Sequence, residues 1–386
     1  MRVFHVIDGL GTGGAERSLA QMFPCFLQRG IIPVVVCSYR RREGVHDAVE
    51  KMGIEVQLLE GSGLARRALA LARLIRRARP ALVHTAIFHS DLMGRVAAIG
   101  TGIPVLTSLV NTSYGPLRFL DPNIRPARLR TARAIDGFTA RHLTTWFHAL
   151  TETVRADSVS ALGIDPERVT VIGRGRDPER LRRADPARRQ QVRASLGLAT
   201  TDEVILNVGR QEYQKGQTYL LEAADRVLRE RPQAVVLIAG REGSSTRQLQ
   251  GIHANLPTRE RIRFLGHRDD VPELLCAADL FVFPSLYEGM GGAIIEAMAV
   301  GVPVIASRLP TLQEVVTEGE TATLVEPASA ESLALAITAM LNDADRRRAY
   351  AEEGRRIFLA RFTLERAANR MADLLFHVAE MRRAPR

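Results

Sequence analysis

At 386 residues the chain has room for two domains, each with its own hydrophobic core. Its 46% apolar and 25% charged content is that of a globular protein, no run approaches the ~18 apolar residues of a spanning helix, and the opening Met1–Asp8 lacks the long apolar stretch of a signal peptide, so a cytoplasmic protein is expected. The net charge of +10 is uneven: residues 1–180 hold 25 Lys+Arg against 16 Asp+Glu, residues 181–386 hold 28 against 27, and with no aromatic interleaving and no zinc or helix-turn-helix pattern this argues against nucleic acid and for an anionic membrane or a phosphate-rich substrate.

In the first half, Val3–Ile7, Pro33–Cys37, Val56–Leu58, Leu82–Thr85, Val105–Leu109 and His148–Thr151 read as strands, and 15–29, 43–52, 64–79, 89–100 and 127–145 as helices. This alternation predicts a parallel sheet covered on both faces. The loop Gly9-Leu-Gly11-Thr-Gly13-Gly14 joins the first strand to the first helix and fits G-x-G-x-x-G, a spacing that lets phosphate approach backbone N–H groups. Taken alone it also allows an NADP-dependent oxidoreductase, with Arg40 and Arg41 holding the 2′-phosphate. His84 ends a strand, and His89 and Asp91 begin a helix; each can face a substrate or serve as an ordinary cap. Asn111 can hydrogen-bond a sugar but is no base at neutral pH. Arg66, Arg67, Arg73, Arg76 and Arg77, and the arginines from Arg118 to Arg141, fall on amphipathic helical patterns that suit either an anionic membrane or plain solvent. Cys25, Cys37 and Cys276 are scattered among apolar residues without metal spacing, and no metal or other cofactor is expected.

Val169–Ile172 adds a strand, and the domain boundary is placed near 173–182. The second half repeats the alternation, with strands at 203–208, 234–239, 261–265, 279–283, 302–306 and 322–325 and helices between them; 330–342, 344–360 and 363–382 are helical. The fold class is therefore α/β, two doubly wound Rossmann-like domains with a cleft between them, whose ligands gather at the carboxyl ends of the strands. Asn207-Val-Gly209-Arg210-Gln-Glu-Tyr-Gln-Lys215-Gly216 follows one such strand, and an arginine with one of the chain's two lysines can clamp a diphosphate. Ser285-Leu-Tyr-Glu288-Gly289-Met290-Gly291-Gly292-Ala-Ile-Ile-Glu296 follows another. Its glycines permit close approach of a ligand, the helix start offers free N–H groups, and the carboxylates accept from sugar hydroxyls.

This last stretch, with Gly301-Val-Pro-Val-Ile-Ala-Ser307 behind it, resembles the E-x7-E motif of retaining glycosyltransferases of family 4, the GT-B architecture. Gly209-Arg210…Lys215-Gly216 resembles the same family's G-R-x4-K-G element, and Gly13-Gly14-Ala15-Glu16-Arg17 its amino-terminal G-G-A-E-R. The resemblance covers most of the chain and implies an acceptor-side domain over 1–175, a donor-binding domain over 176–362, and a terminal helix, 363–382, that packs back on the first. It implies transfer of a sugar from a nucleoside diphosphate to an acceptor hydroxyl with retention of configuration, in polysaccharide or glycolipid assembly. The donor site implied is Gly13, Gly14, Gly209, Arg210, Lys215, Arg268, Glu288, Gly289, Met290, Gly291 and Glu296, with Arg210, Lys215 and Glu288 catalytic and Glu296 on the ribose. His84, His89 and Asn111 are the acceptor-side candidates, and the acceptor is a glycan or lipid-linked glycan met at the inner membrane face. Two departures stand out. Asn111 replaces a common histidine, which admits an inactive nucleotide-sugar binder, and Gly173-Arg174-Gly175-Arg176-Asp177 replaces the usual Pro-Asn-Gly-Val-Asp.

Overall fold

The computed structural model describes residues 1–183 and 185–381; the last residue of the expected terminal helix, at 382, lies outside them. The chain divides into two compact units. The first comprises Met1–Gly115, Pro126–Gly175 and the segment from Leu364; the second comprises Pro116–Arg125 and Arg176–Thr363.

The first unit is built on seven parallel strands: β1 (Arg2–Ile7), β2 (Ile32–Cys37), β3 (Glu55–Leu58), β4 (Leu82–Ala86), β5 (Val105–Leu109), β6 (Trp146–Ala149) and β7 (Val169–Val171), in the order β3-β2-β1-β4-β5-β6-β7. β6 ends before the expected Thr151 because that side chain leaves the sheet to cap the helix Glu152–Leu162, accepting from the Val154 N–H at 3.1 Å. The terminal helix Leu364–Glu380 lies in this unit. Its Ala368, Met371 and Leu375 enter the core beside Phe23 and Phe26, and Asp373 pairs with Arg29 at 2.8 Å.

The second unit has six parallel strands: β8 (Glu203–Val208), β9 (Ala234–Ala239), β10 (Ile262–Gly266), β11 (Leu280–Phe283), β12 (Val304–Ser307) and β13 (Ala322–Val325), in the order β10-β9-β8-β11-β12-β13. All of β9, β11 and β12 is buried, as continuous apolar runs covered on two faces must be. Pro116–Arg125, expected in the first domain, groups with this unit. The Tyr287 hydroxyl donates to Asp121 Oδ2 at 3.2 Å, a bond buried at both ends.

Both sheets reverse strand order once, between β1 and β4 and between β8 and β11. Loops leaving the carboxyl ends of strands diverge at such a point and leave a crevice, which makes it the default ligand site of an open α/β sheet.

Candidate active site

At the β8/β11 reversal two loops meet. The loop after β8 passes through Gly209 and Arg210, makes a short helical turn over Tyr213–Lys215, and reverses at Gly216, whose φ of 62° lies in the left-handed region. A Cβ at 216 would fall 1.9 Å from the Pro284 carbonyl oxygen, so only glycine lets the two loops touch. The loop after β11 carries Glu288, 8% exposed, into contact with Lys215. The lysine Nζ bonds Glu288 Oε1 and lies 5.3 Å from the centre of the Phe283 ring, while its methylenes run along Gly209.

Gly291, at φ 73°, turns the chain into the helix Gly292–Val300, which holds Glu296. Leu312 and Ile294 crowd the place where a Cβ at 291 would sit. Glu296 Oε1 accepts from Arg176 Nε at 2.7 Å, and Arg176 is 6% exposed. The spacing of eight thus delivers both glutamates to one end of the sheet, each already holding a cation. Met290 is buried beside Gly289. Arg210 is half exposed, its guanidinium 3.8 Å from Glu212. Arg268 forks onto Asp270, Nε to Oδ1 at 2.7 Å with a second bond from Nη2 to Oδ2, and holds that carboxyl below its ordinary range. The structure therefore brings Lys215, Glu288, Gly291 and the loop glycines together, and gives Arg268 a carboxylate partner two residues away.

The β1/β4 reversal in the first unit is built in the same way. Gly13 caps the helix Gly14–Gln28, and Glu16 folds back so far that a Cβ at 13 would meet its carboxylate at 2.3 Å. The Arg174 guanidinium lies over Gly14, 2.5 Å from where a Cβ would stand. Asp8, directly after β1, accepts from Ser90 Oγ at 2.7 Å, and His89, two-thirds exposed, is 3.8 Å from its other oxygen. Ile87, between β4 and the helix Phe88–Ala97, has φ 79°, a strained value for a β-branched residue. Asp8, Ser90 and Ile87 escaped the sequence reading; the signal was Asp8 at the carboxyl end of the first strand, overshadowed by the glycines after it. Asn111 accepts from the Thr112 N–H at 2.9 Å and shapes its own loop.

His84 is buried because strand register sets it in a chain across the sheet, and with Ser18, Ser108 and His148 it lines a cavity in the first unit. His148 Nε2 donates to the Ile172 carbonyl at 2.8 Å. A neutral His148 then accepts at Nδ1 from Ser108 Oγ at 2.8 Å, Ser108 accepts from His84 Nε2 at 2.8 Å, and His84 Nδ1 accepts from His5 Nδ1 at 2.9 Å. A single carbonyl thus fixes every tautomer, and His5 Nε2 is left as a buried lone pair with no partner among the described residues. Burial pushes His5 down to about 3 and His148 to about 4, and His84 lies well below its ordinary value. Arg40, the candidate for a 2′-phosphate, is instead engaged by Asp47 at 2.8 Å and Glu50 at 3.3 Å.

Known families agree with these two halves. Residues 12–180 match the model of Glycosyltransferase Family 4, and residues 188–357 that of Glycosyl transferases group 1. The chain belongs to the family 4 glycosyltransferases. Among its relatives, the Escherichia coli UDP-Gal:alpha-D-GlcNAc-diphosphoundecaprenol alpha-1,3-galactosyltransferase is 30% identical over 245 residues, 62% of this chain and 61% of that one. The D-inositol 3-phosphate glycosyltransferase of Corynebacterium urealyticum is 31% identical over 215 residues, 54% and 50% of the two chains. The chain thus spans between half and two thirds of the length of these relatives. In fold it is similar to Anabaena HepE, crystallised with UDP and glucose, at a TM-score of 0.86 and 22% identity over 97% of this chain and 99% of that one. This is the GT-B fold, and the dinucleotide reading of Gly9–Gly14 gives way to it.

Proposed function

We propose that the protein is a retaining glycosyltransferase that moves a hexose from a UDP-sugar to a hydroxyl of a lipid-linked glycan. One observation carries the reading: Lys215 and Glu288 converge where strand order reverses, with Glu296 on the helix that follows. Breaking the bond from the anomeric carbon to the diphosphate leaves negative charge on the departing oxygen. Lys215 and Arg210 are the groups that would neutralise it, in place of a metal. The N–H groups at Gly289, Met290 and Gly291 would hold the sugar and phosphate, Glu288 would accept from sugar hydroxyls, and Glu296 from the ribose. The acceptor oxygen forms the new bond on the face the diphosphate leaves, and its proton passes to the departing phosphate oxygen. His84, His89 and Asn111, with Asp8, belong to the acceptor side of this reading.

UDP and the lipid carrier rest on the names of the E. coli relative and of HepE's ligands. Peripheral contact with an anionic membrane at the cytoplasmic face rests on the charge of the first 180 residues. The test is incubation with UDP-Gal, UDP-Glc, UDP-GlcNAc and GDP-Man, each with a polyprenyl-diphosphate sugar, followed by UDP or GDP release and product anomer by NMR. One donor consumed to an α-linked product is expected. Donor binding with neither transfer nor hydrolysis would favour the second reading, an inactive nucleotide-sugar binder, for which Asn111 in place of a base is the specific observation.

A further inference from the structure

Arg176 stands where the sequence departs from the usual Pro-Asn-Gly-Val-Asp pattern, and the structure gives that departure a destination. Its backbone is fixed: the Arg176 N–H donates to the Phe362 carbonyl at 2.8 Å, and the residue bridges to Thr363. These contacts join the two ends of the Arg176–Thr363 segment of the second unit. From this anchored backbone the side chain runs buried to Glu296, Nε to Oε1 at 2.7 Å, and the glutamate keeps 23% of its side chain exposed.

We infer that Arg176 is a positioning residue that presents Glu296 to the ribose of the donor, and that it makes discrimination for ribose hydroxyls a property of the pair. The inference rests on the proposed donor site. A lone carboxylate on a helix rotates about its side-chain torsions and meets a vicinal diol with either oxygen. Glu296 does not have that freedom, because a planar guanidinium with a fixed Nε–H direction holds Oε1 and sets the plane of the carboxylate. Oε2 is then the oxygen turned to a hydroxyl. The guanidinium has a second effect. Glu296 is an anion in a site that must take a diphosphate, and the adjacent positive charge cancels the repulsion the carboxylate would otherwise exert.

The experiment is isothermal titration of UDP and 2′,3′-dideoxy-UDP into the full chain as wild type, Arg176→Met, Arg176→Lys and Glu296→Ala, with each melting temperature measured without ligand. A site built to bond hydroxyls rejects an analogue that lacks them, so the wild type is expected to prefer UDP roughly tenfold or more. Arg176→Met should weaken UDP about tenfold and bring the preference close to one, the scale of a lost charge-assisted hydrogen bond. Arg176→Lys keeps the charge but not the planar donor; it should retain most of the UDP affinity and lose part of the preference. Wild-type affinity and preference in Arg176→Met, with both lost in Glu296→Ala, would overturn the role of Arg176 and leave the donor site standing. Full preference in Glu296→Ala would instead remove Glu296 from the ribose, and the site reading with it. Should Arg176→Met not fold, an Arg176→Lys protein identical to wild type with both ligands overturns the inference on its own.

Discussion

Lys215 and Glu288 hold each other in the proposed donor site, so each substitution tests a charge and its partner together. Removing the lysine leaves a largely buried carboxylate unpaired, and breaking such a pair is costlier than replacing both members. Lys215→Ala is expected to lower turnover by roughly 10²–10³, the scale of one electrostatic group at a departing charge. It should also lower the melting temperature, and Glu288→Gln in the same chain should restore part of it without restoring activity. A double variant as unstable as the sum of the singles would mean the pair has no coupling. The neighbouring glycines separate into two kinds. Gly216→Ala forces a Cβ onto the Pro284 carbonyl at positive φ and is expected to destabilise by at least ~2–3 kcal/mol in urea unfolding. Gly209→Ala meets only the flexible methylenes of Lys215 at 3.3 Å, so it should move the ammonium and lower turnover with little change in stability.

The strands themselves carry a titration. β1, β4, β5 and β6 bring His5, His84, Ser108 and His148 into one buried chain, and the same unit buries Asp91, raised to about 7 by desolvation against the opposing pull of Arg95. The signs oppose. A histidine depressed in the folded state is neutral there while the unfolded chain protonates near 6.5, so its stabilisation is full above 6.5 and is lost as pH falls toward the folded value. Asp91 is protonated in the folded state up to about 7 and ionised in the unfolded chain above ~3.8, so it contributes more at the acid end of that window. Three groups against one leave a net uptake near two protons on unfolding. Unfolding free energy between pH 6.5 and 5 should therefore fall by up to about 2.7 kcal/mol per pH unit. Asp91→Asn should steepen the fall toward three protons, read from urea midpoints at pH 7.5, 6.5, 5.8 and 5.0; a flat profile would mean the histidines are not held neutral. None of this chain could be read in the sequence. His84 looked like a strand-end residue because alternation locates a strand without its register, and His5, Ser108 and His148 lie 79, 24 and 64 residues from it.

Over the whole molecule the legible part was what repeats locally. Strand–helix alternation gave two parallel sheets because apolar runs buried on both faces are visible residue by residue, and the β11 loop and its helix were legible because glycines and carboxylates sit at fixed offsets. Partners set by tertiary contact were not: Arg176 on Glu296, Asp8 under Ser90, and Pro116–Arg125 grouping with the second unit. Charge is the property that composition fixed and the fold then placed. Among the described residues no helix is long and apolar enough to cross a membrane. The helix Leu64–Ala78 exposes Leu64 and Leu69 among Arg66, Arg73, Arg76 and Arg77, and the helix Pro126–Leu143 exposes Ile135 and Phe138, the latter 59% exposed, among Arg128, Arg130, Arg133 and Arg141. Apolar side chains set in an arginine field bind an anionic interface by two additive terms, burial of the apolar groups and Coulomb attraction. Each arginine near such a surface contributes about 1 kcal/mol, and that attraction decays within a Debye length of about 10 Å at 0.1 M salt. The protein should therefore co-sediment with vesicles of phosphatidylglycerol and phosphatidylcholine at 0.1 M salt, release at 0.5 M, and ignore pure phosphatidylcholine. Phe138→Asp with Ile135→Asp, and separately Arg73→Glu with Arg76→Glu, should each weaken the binding seen at 0.1 M salt. Binding indifferent to both pairs would leave the positive first half without a membrane to explain it, and would turn the search for an acceptor toward soluble, phosphate-bearing glycans.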